Sequence, residues 1–273
     1  MSSTFRDHVS LEQPSPPTRL DLLRRWDANA QRRWVELSTS SDRSYLELTE
    51  IILDRVSAYE RSCAVLRPRI LDVGCGVGFL SQALAMAGYQ VEGIDPSKAS
   101  IALASGHSSD VLFSKATLEA FPRKRTFDVL VANMTLHCVA NLPAFMRAAA
   151  ELLEPAGLFV ATIPNPISYL RRRKDLQLDS LDLAREHVLQ IPFKIHNQDP
   201  HPALVYYFHR PLSAYTVAAE KAGLTIDDYV TPQHVGIGKP DFAMLELRHQ
   251  PLTSNARFSR QRADGTCELM VPV

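Results

Sequence analysis

The chain lacks the features that mark several large classes of protein. Among its 273 residues, 30 Lys and Arg balance 30 Asp and Glu, so the formal net charge at pH 7 is zero. Such a balance argues against a general nucleic-acid or anionic-membrane surface. No apolar run has the length of a membrane span, and the amino terminus lacks the apolar core of a signal peptide. We therefore expect a cytoplasmic protein without a membrane span.

Cysteine is also scarce, and the whole set is Cys63, Cys75, Cys138 and Cys267. No two of these cysteines have the spacing of a metal-ligand pair, and no histidine spacing completes a zinc site. We therefore expect no metal site, and free thiols in a reducing compartment.

Three of the 11 glycines fall in one stretch, residues 70–79, which reads Ile-Leu-Asp-Val-Gly-Cys-Gly-Val-Gly-Phe. An apolar strand reaches a carboxylate, alternating glycines follow, and a helix begins. Glycine permits positive φ and lets the backbone approach a ligand closely. A loop between a strand and a helix is where nucleotide-like ligands bind in open α/β sheets.

Two common nucleotide-binding loops do not fit this stretch. The dinucleotide fingerprint needs a glycine at position 79, where this chain has Phe79, and no GK[ST] sequence completes a phosphate-binding P-loop. Asp72 lies two residues before the first glycine. Its carboxylate would repel a pyrophosphate but would suit a ligand that carries an ammonium group.

The pattern Asp-x-Gly-x-Gly-x-Gly resembles motif I of the class I S-adenosylmethionine-dependent methyltransferases. Asp95 follows Gly76 at the distance where this fold places an acid for ribose hydroxyls. Phe-Asp-Val from residue 127, with Leu-His at 136–137, resembles motif IV of the same superfamily. Flanking stretches, 29–34 and 207–213, look like motifs of the small-molecule branch that includes ubiquinone-pathway enzymes.

The resemblance implies an α/β fold that is doubly wound and Rossmann-like, with a seven-stranded, mostly parallel sheet and helices on both faces. In the family, the seventh strand is antiparallel beside the sixth. Strands are expected at residues 69–73, 90–94, 111–114, 127–132, 158–163, 225–230 and 241–248.

Segments outside this alternation define the expected domain organisation. Residues 1–17 are expected to be a flexible arm, and helical patterns within 18–62 predict a cap that is either simply packed or closes the ligand site. The methyltransferase domain is expected at 63–249, and 250–273 would be a peripheral tail. Within the domain, 165–208 forms an insertion after strand five, interpreted as a lid that is partly helical around residues 180–190.

The resemblance also implies a cofactor, S-adenosylmethionine, and the residues that bind it. Asp72 and the glycine loop would hold the methionine end, and Asp95 would hold the ribose. Lys115 and Ala116 replace the acid that many relatives use for the adenine amino group, so backbone groups of Thr117 and Leu118, or the side chain of Glu119, are expected to take over. The implied cofactor-binding residues are Asp72, Gly74, Cys75, Gly76, Gly78, Asp95, Pro96, Thr117, Leu118 and Asn133.

The methyl acceptor has weaker signals. His137 and His209 are candidate catalytic bases, since histidine titrates near neutral pH, although a structural role for each stays open. The candidate substrate-pocket residues are Trp34, Tyr45, Tyr207 and Arg210.

We therefore expect a methyltransferase that moves a methyl group to an O or N atom of a small molecule, in secondary-metabolite or quinone-like biosynthesis. Two alternatives stay open, a tRNA-modifying enzyme and a non-catalytic S-adenosylmethionine-binding regulator. The balanced charge argues against nucleic acid as a partner. The oligomeric state is open, with a homodimer as one option.

Overall fold

A computed structural model describes residues 17–39, 43–63, 65–173, 178, 181–192, 204–231 and 242–250. The predicted flexible arm and C-terminal tail lie almost entirely outside the described residues. None of the described helices is long and apolar enough to cross a membrane.

The helices and strands alternate through most of the chain. The helices are α1 (Arg19–Ser38), α2 (Arg43–Cys63), α3 (Phe79–Met86), α4 (Lys98–His107), α5 (Leu142–Leu152), α6 (Tyr169–Arg172) and α7 (Leu212–Lys221). The strands are β1 (Arg69–Val73), β2 (Gln90–Asp95), β3 (Leu112–Lys115), β4 (Phe127–Asn133), β5 (Leu153–Pro164), β6 (His187–Pro192), β7 (Leu204–His209), β8 (Leu224–Val230) and β9 (Phe242–His249).

Seven of these strands form one sheet in the order β3-β2-β1-β4-β5-β9-β8. The first five are parallel, and β9 lies antiparallel between β5 and β8. The predicted Rossmann-like fold is thereby confirmed, including the antiparallel position of the last strand.

Both faces of the sheet are covered by helices, and the sequence explains this. Strand residues alternate between the two faces, so that Leu71 and Leu130 pack with α5 and α7, whereas Ile70 and Val129 pack with α2 and α3. All four side chains have no exposed surface. A parallel sheet needs such continuous apolar strands because both of its faces are buried.

The segment between β5 and α7 differs from the prediction. Helical structure was expected around residues 180–190, but His187–Pro192 is strand β6, which pairs antiparallel with β7 in a separate two-stranded sheet. Ile191, Val205 and Tyr207 are buried in a small cluster with Leu170 of α6. Burial of these side chains on one face favours the hairpin over a helix.

Candidate functional site

A cavity of about 720 Å³ lies at the carboxyl ends of β1, β2, β4 and β5. This volume falls within the range of small-molecule sites, roughly 300–1,000 Å³. The glycine loop, Asp95 and Asn133 line the sheet side, while α1, α2 and the β6–β7 hairpin provide the opposite wall. The cavity therefore occupies the place where open α/β sheets bind ligands.

Gly76 is the point where the loop backbone meets the cavity. Its φ is +54°, and a Cβ built there would have no heavy atom within 4 Å. A ligand can therefore approach this backbone closely. Gly74 has a different reason to be glycine, because a Cβ there would lie 2.4 Å from Thr135 Oγ1.

Asp95 joins the glycine loop to the start of α4. Its Oδ2 accepts a hydrogen bond from the Gly76 amide at 3.1 Å, and its Oδ1 accepts one from the Ser97 amide at 2.8 Å. Burial raises the pKa of Asp95 to about 6, although these two amides lower it. Each carboxylate oxygen retains acceptor capacity for a ligand hydroxyl.

Asp72 lies beneath the loop and does not line the cavity. It is 1% exposed, and its Oδ2 accepts a hydrogen bond from Ser81 Oγ of α3 at 2.6 Å. Burial raises the pKa of Asp72 to about 7, with Asp95 adding to the shift and Ser81 opposing it. The hydrogen bond from Ser81 joins α3 to β1 beneath the loop.

Tyr45 of α2 brings the cap to this end of the cavity. Its ring lies under the Arg33 guanidinium, with 4.8 Å between the guanidinium carbon and the ring centroid. Burial and the nearby Asp72 raise the pKa of Tyr45, so that its hydroxyl keeps its proton. Asn133 lines the same region and accepts a hydrogen bond from Thr162 Oγ1 at 2.5 Å.

The segment after β3 forms another part of the wall. Thr117 and Leu118 line the cavity together with Ile94 and Pro96. Leu118 is 2% exposed and fixes a short 3-10 turn against the core. This part of the cavity offers apolar side chains and backbone polar groups.

An aromatic group lines the end of the cavity near the hairpin. The Tyr207 ring lies 5.5 Å from the His137 ring and 5.6 Å from the Tyr169 ring. Trp26 of α1 packs against the same cluster. Burial, with a smaller effect of Arg210, lowers the pKa of His137 to about 3, so the imidazole is neutral at physiological pH.

A protein-family profile described as a methyltransferase domain matches residues 23–229, about three quarters of the chain. The chain belongs to the class I S-adenosylmethionine-dependent methyltransferases. It is 33% identical over 165 residues to a ubiquinone biosynthesis O-methyltransferase from Methylobacterium nodulans, covering 58% of this chain and 60% of that protein. The match to a second such protein, from Bradyrhizobium diazoefficiens, spans 40% of its length at 34% identity.

Solved structures share the fold of this methyltransferase. An S-adenosylmethionine-dependent methyltransferase from Clostridium acetobutylicum aligns with a TM-score of 0.59 at 10% identity, over 82% of this chain and 99% of its own. The glycopeptide N-methyltransferase MtfA, complexed with S-adenosylmethionine, aligns with a TM-score of 0.54 at 14% identity, over 72% and 93% of the two chains. At these identities the likeness concerns the fold.

The cofactor of this family, S-adenosylmethionine, fits the cavity. The open space beside Gly76 leaves room for a ligand against the loop. Asp95 has acceptor oxygens at the cavity wall, which match hydroxyl donors of a ribose. Because burial raises the pKa of Asp72 to about 7, a cationic ligand group near the loop would favour its ionised form.

The methyltransferase cavity brings together most of the residues predicted to bind the cofactor. Those that line it are Gly74, Cys75, Gly76, Asp95, Pro96, Thr117, Leu118 and Asn133. Asp72 and Gly78 do not line it. Gly78 is instead the left-handed residue that begins α3, and a Cβ there would lie 2.8 Å from Phe113.

His209, a candidate base, and Arg210, a candidate pocket residue, also lie outside the cavity wall. His209 is 1% exposed, and its Nε2 donates to the Leu183 carbonyl at 3.0 Å. Its register partner in the hairpin is His187, whose ring stacks on it. His209 is therefore placed as a buried part of the hairpin and not as a base at the cavity.

Arg210 fixes the loop that follows β4. Its guanidinium donates to the carbonyls of Leu136, Val139 and Ala140 at 3.3, 2.7 and 3.2 Å. It also pairs with Glu186 at 3.2 Å. The side chain is 5% exposed, so it holds the His137 loop from behind and does not face a substrate.

Trp34, a candidate pocket residue, does not line the cavity either. Its ring stacks on His107 with 3.7 Å between centroids and lies 5.0 Å from the Phe79 ring. Trp34 therefore fastens α1 to α3 and α4. The predicted pocket residues Tyr45 and Tyr207 do line the cavity.

The sequence prediction missed the extent to which α1 forms the cavity wall. One face of this helix lines the cavity through residues spaced three or four apart, namely Leu22, Trp26, Ala30, Arg33 and Leu37. Helical periodicity was a visible signal for such a face. Met134, another wall residue, has a φ of +53°, a strained conformation that is common at functional sites.

Proposed function

We propose that this protein transfers a methyl group from S-adenosylmethionine to an O or N atom of a small, largely apolar acceptor. One observation carries the proposal: a single cavity joins the glycine loop and Asp95 to an aromatic wall that contains His137 and Tyr207. The named relatives are ubiquinone biosynthesis O-methyltransferases. A ring hydroxyl is therefore the first acceptor to consider.

In this proposal the sheet side of the cavity binds the cofactor. Gly76 leaves space for the methionine end, Asp95 accepts hydrogen bonds from the ribose, and Leu118 packs against the adenine. Asn133 lines the methionine moiety. When bound, S-adenosylmethionine supplies a methyl group on a positively charged sulfur. The protein's main contribution is then to hold acceptor and cofactor in line, which lowers the barrier by several kcal/mol.

His137 orients the acceptor in this proposal. Because burial lowers the pKa of this imidazole to about 3, it is neutral and can accept a hydrogen bond from a hydroxyl or N–H. Such a hydrogen bond orients a lone pair of the methyl-accepting atom and positions its proton for removal. A full general-base role would require the bound acceptor to raise the pKa of His137 towards neutrality.

The cap and the hairpin exclude water from the reacting groups. Trp26 of α1 packs with Tyr207, Ile191 and Val205 of the hairpin, so apolar side chains cover the acceptor end of the cavity. Asp95 and Glu119 are the acidic residues of the wall, and Arg19 and Arg33 are the basic ones. This wall favours an uncharged ring over a polyanion such as tRNA.

Calorimetric titration with S-adenosylmethionine and S-adenosylhomocysteine, with NAD as the control, tests the cofactor half of the proposal. We expect micromolar binding of the first two and none of NAD. An acceptor screen with phenols, catechols and aromatic amines then tests the second half. Binding without turnover across that panel would support a non-catalytic regulator, and a salt-sensitive affinity for bulk tRNA would support an RNA substrate. The cytoplasmic location and homodimer stay predictions.

A further inference from the structure

Asp27 of α1 does not line the cavity, and it has no role in the proposed cofactor site or acceptor site. Its Oδ1 accepts a hydrogen bond from the Ser97 hydroxyl at 2.6 Å and from the Ala99 amide at 3.1 Å. Ser97 and Ala99 belong to the first turn of α4. Asp27 therefore ties the cap helix to a helix of the central domain, 70 residues further along the chain.

Ser97 forms hydrogen bonds with both helices at once. Its Oγ accepts a hydrogen bond from the Ser100 amide at 3.0 Å, which caps α4, while its hydroxyl proton goes to Asp27. Ser97 has no exposed surface. Burial would raise the pKa of Asp27, but the Ser97 hydroxyl and the Ala99 amide lower it below its ordinary value. The carboxylate is thus charged at neutral pH, at the positive end of α4.

The same serine connects Asp27 to the ribose end of the cavity. The Ser97 amide donates to Asp95 Oδ1, and the Gly76 amide donates to Asp95 Oδ2. A continuous set of hydrogen bonds therefore runs from α1 through Ser97 and Asp95 to the glycine loop. Movement of α1 away from α4 would break this set at Asp27.

The neighbouring residue, Trp26, joins α1 to the other end of the cavity. Trp26 lines the cavity and packs against the hairpin, whereas Asp27 contacts α4. Two adjacent residues thus fasten one helix to both sides of the cavity. The same helix lines the cavity that contains the glycine loop and Asp95, so both contacts fix α1 beside the place where the cofactor is proposed to bind.

We propose that Asp27 is a positioning residue that holds α1 over the bound cofactor and slows its release. The proposal rests on the proposed function, because it presumes that S-adenosylmethionine lies against Asp95. It assigns to a cap residue a share of cofactor affinity although that residue does not line the cavity. The charge of Asp27 and the Ser97 hydroxyl act as one unit.

The test measures the dissociation rate of S-adenosylhomocysteine by stopped-flow tryptophan fluorescence in the full chain. We expect Asp27→Asn to release the ligand about fivefold faster, because the amide oxygen still accepts from Ser97 and Ala99 but both hydrogen bonds lose the charge that strengthens them. Ser97→Ala should have a similar effect, and the double variant should be no faster than either single one. High salt should speed release from the wild type and not from Asp27→Asn.

Asp21→Asn is the matched control, since it makes the same chemical change on the same helix. Asp21 accepts hydrogen bonds from Thr18 at the start of α1 and makes no contact with α4 among the described hydrogen bonds. Its release rate should stay within twofold of the wild type. An unchanged rate in Asp27→Asn, or multiplied effects in the double variant, would overturn the proposal. A wild type that binds neither ligand would overturn the proposed function first, and this inference with it.

Discussion

Replacement of Arg210 by methionine should destabilise the protein and disturb the His137 loop. Methionine keeps much of the apolar volume but removes the donors to the carbonyls of Leu136, Val139 and Ala140. A buried acceptor that loses its partner costs about 1–3 kcal/mol, whereas a typical hydrogen bond contributes about 0.5–1.5 kcal/mol net. The buried Leu136 carbonyl also accepts from the Val139 amide at 3.3 Å. The bonds to Val139 and Ala140 are only partly buried, so water can replace the lost donors there.

The sum for Arg210→Met is about 2 kcal/mol, because Glu186 is 63% exposed and its ion pair adds little. A loss of this size lowers the Tm of a domain of this length by about 4–8 °C. Urea denaturation measures the free energy of unfolding directly, with an unchanged m-value expected. Because the affected carbonyls flank His137, kcat should fall while cofactor affinity stays close to that of the wild type.

Two further variants make the Arg210 result interpretable. Arg185→Met removes an exposed arginine that pairs with Asp182 in the segment before β6, and we expect a change within about 0.5 kcal/mol. Arg210→Lys keeps the charge but not the fork of donors, so its stability should lie between those of Arg210→Met and the wild type. A loss below about 1 kcal/mol in Arg210→Met would contradict the reasoning.

Three other predictions concern the cavity. Gly76→Val should abolish cofactor binding. Gly88→Val is the control, because it carries a similar strain at φ +95° but lies away from the cavity, and it should retain binding. Calorimetry compares the two variants. With a raised pKa of about 6, Asp95 is mostly protonated at pH 5 and mostly ionised at pH 7 in the free protein, so affinity for S-adenosylhomocysteine should rise about tenfold over this range. The rise should be smaller in Asp95→Asn, where Asp72, with a pKa of about 7, still titrates. His137→Ala should lower kcat about 100-fold and change KM little, measured by steady-state kinetics with an identified acceptor; equal activity would make this residue structural.

The residues that the sequence located correctly share local signals. The order of strand, carboxylate, glycines and helix at 70–79 determines the loop conformation within ten residues. Asp95 could be placed because the fold fixes its distance from Gly76. Apolar strand runs identify a buried parallel sheet before any tertiary contact is known.

The residues that it misplaced depend on tertiary contacts. Arg33 and Trp34 are separated by about 100° around α1, and periodicity alone does not say which of them faces a cavity. The β6–β7 hairpin pairs strands that are separated by residues 193–203, and periodicity within either strand does not identify its partner. Arg210 was predicted to line the substrate pocket. The sequence does not distinguish an arginine that donates to backbone carbonyls from one that binds an anionic substrate.

The position of β9 has a consequence for synthesis of the chain on the ribosome. Translation produces β5 and β8 before β9, yet β9 is the strand that lies between them. Until residues 242–249 have emerged, the edges of β5 and β8 that pair with β9 in the complete sheet are unpaired. Unpaired edges are templates for aggregation. Translational pausing or truncation shortly before Phe242 should therefore create the form of this protein that depends most on chaperones.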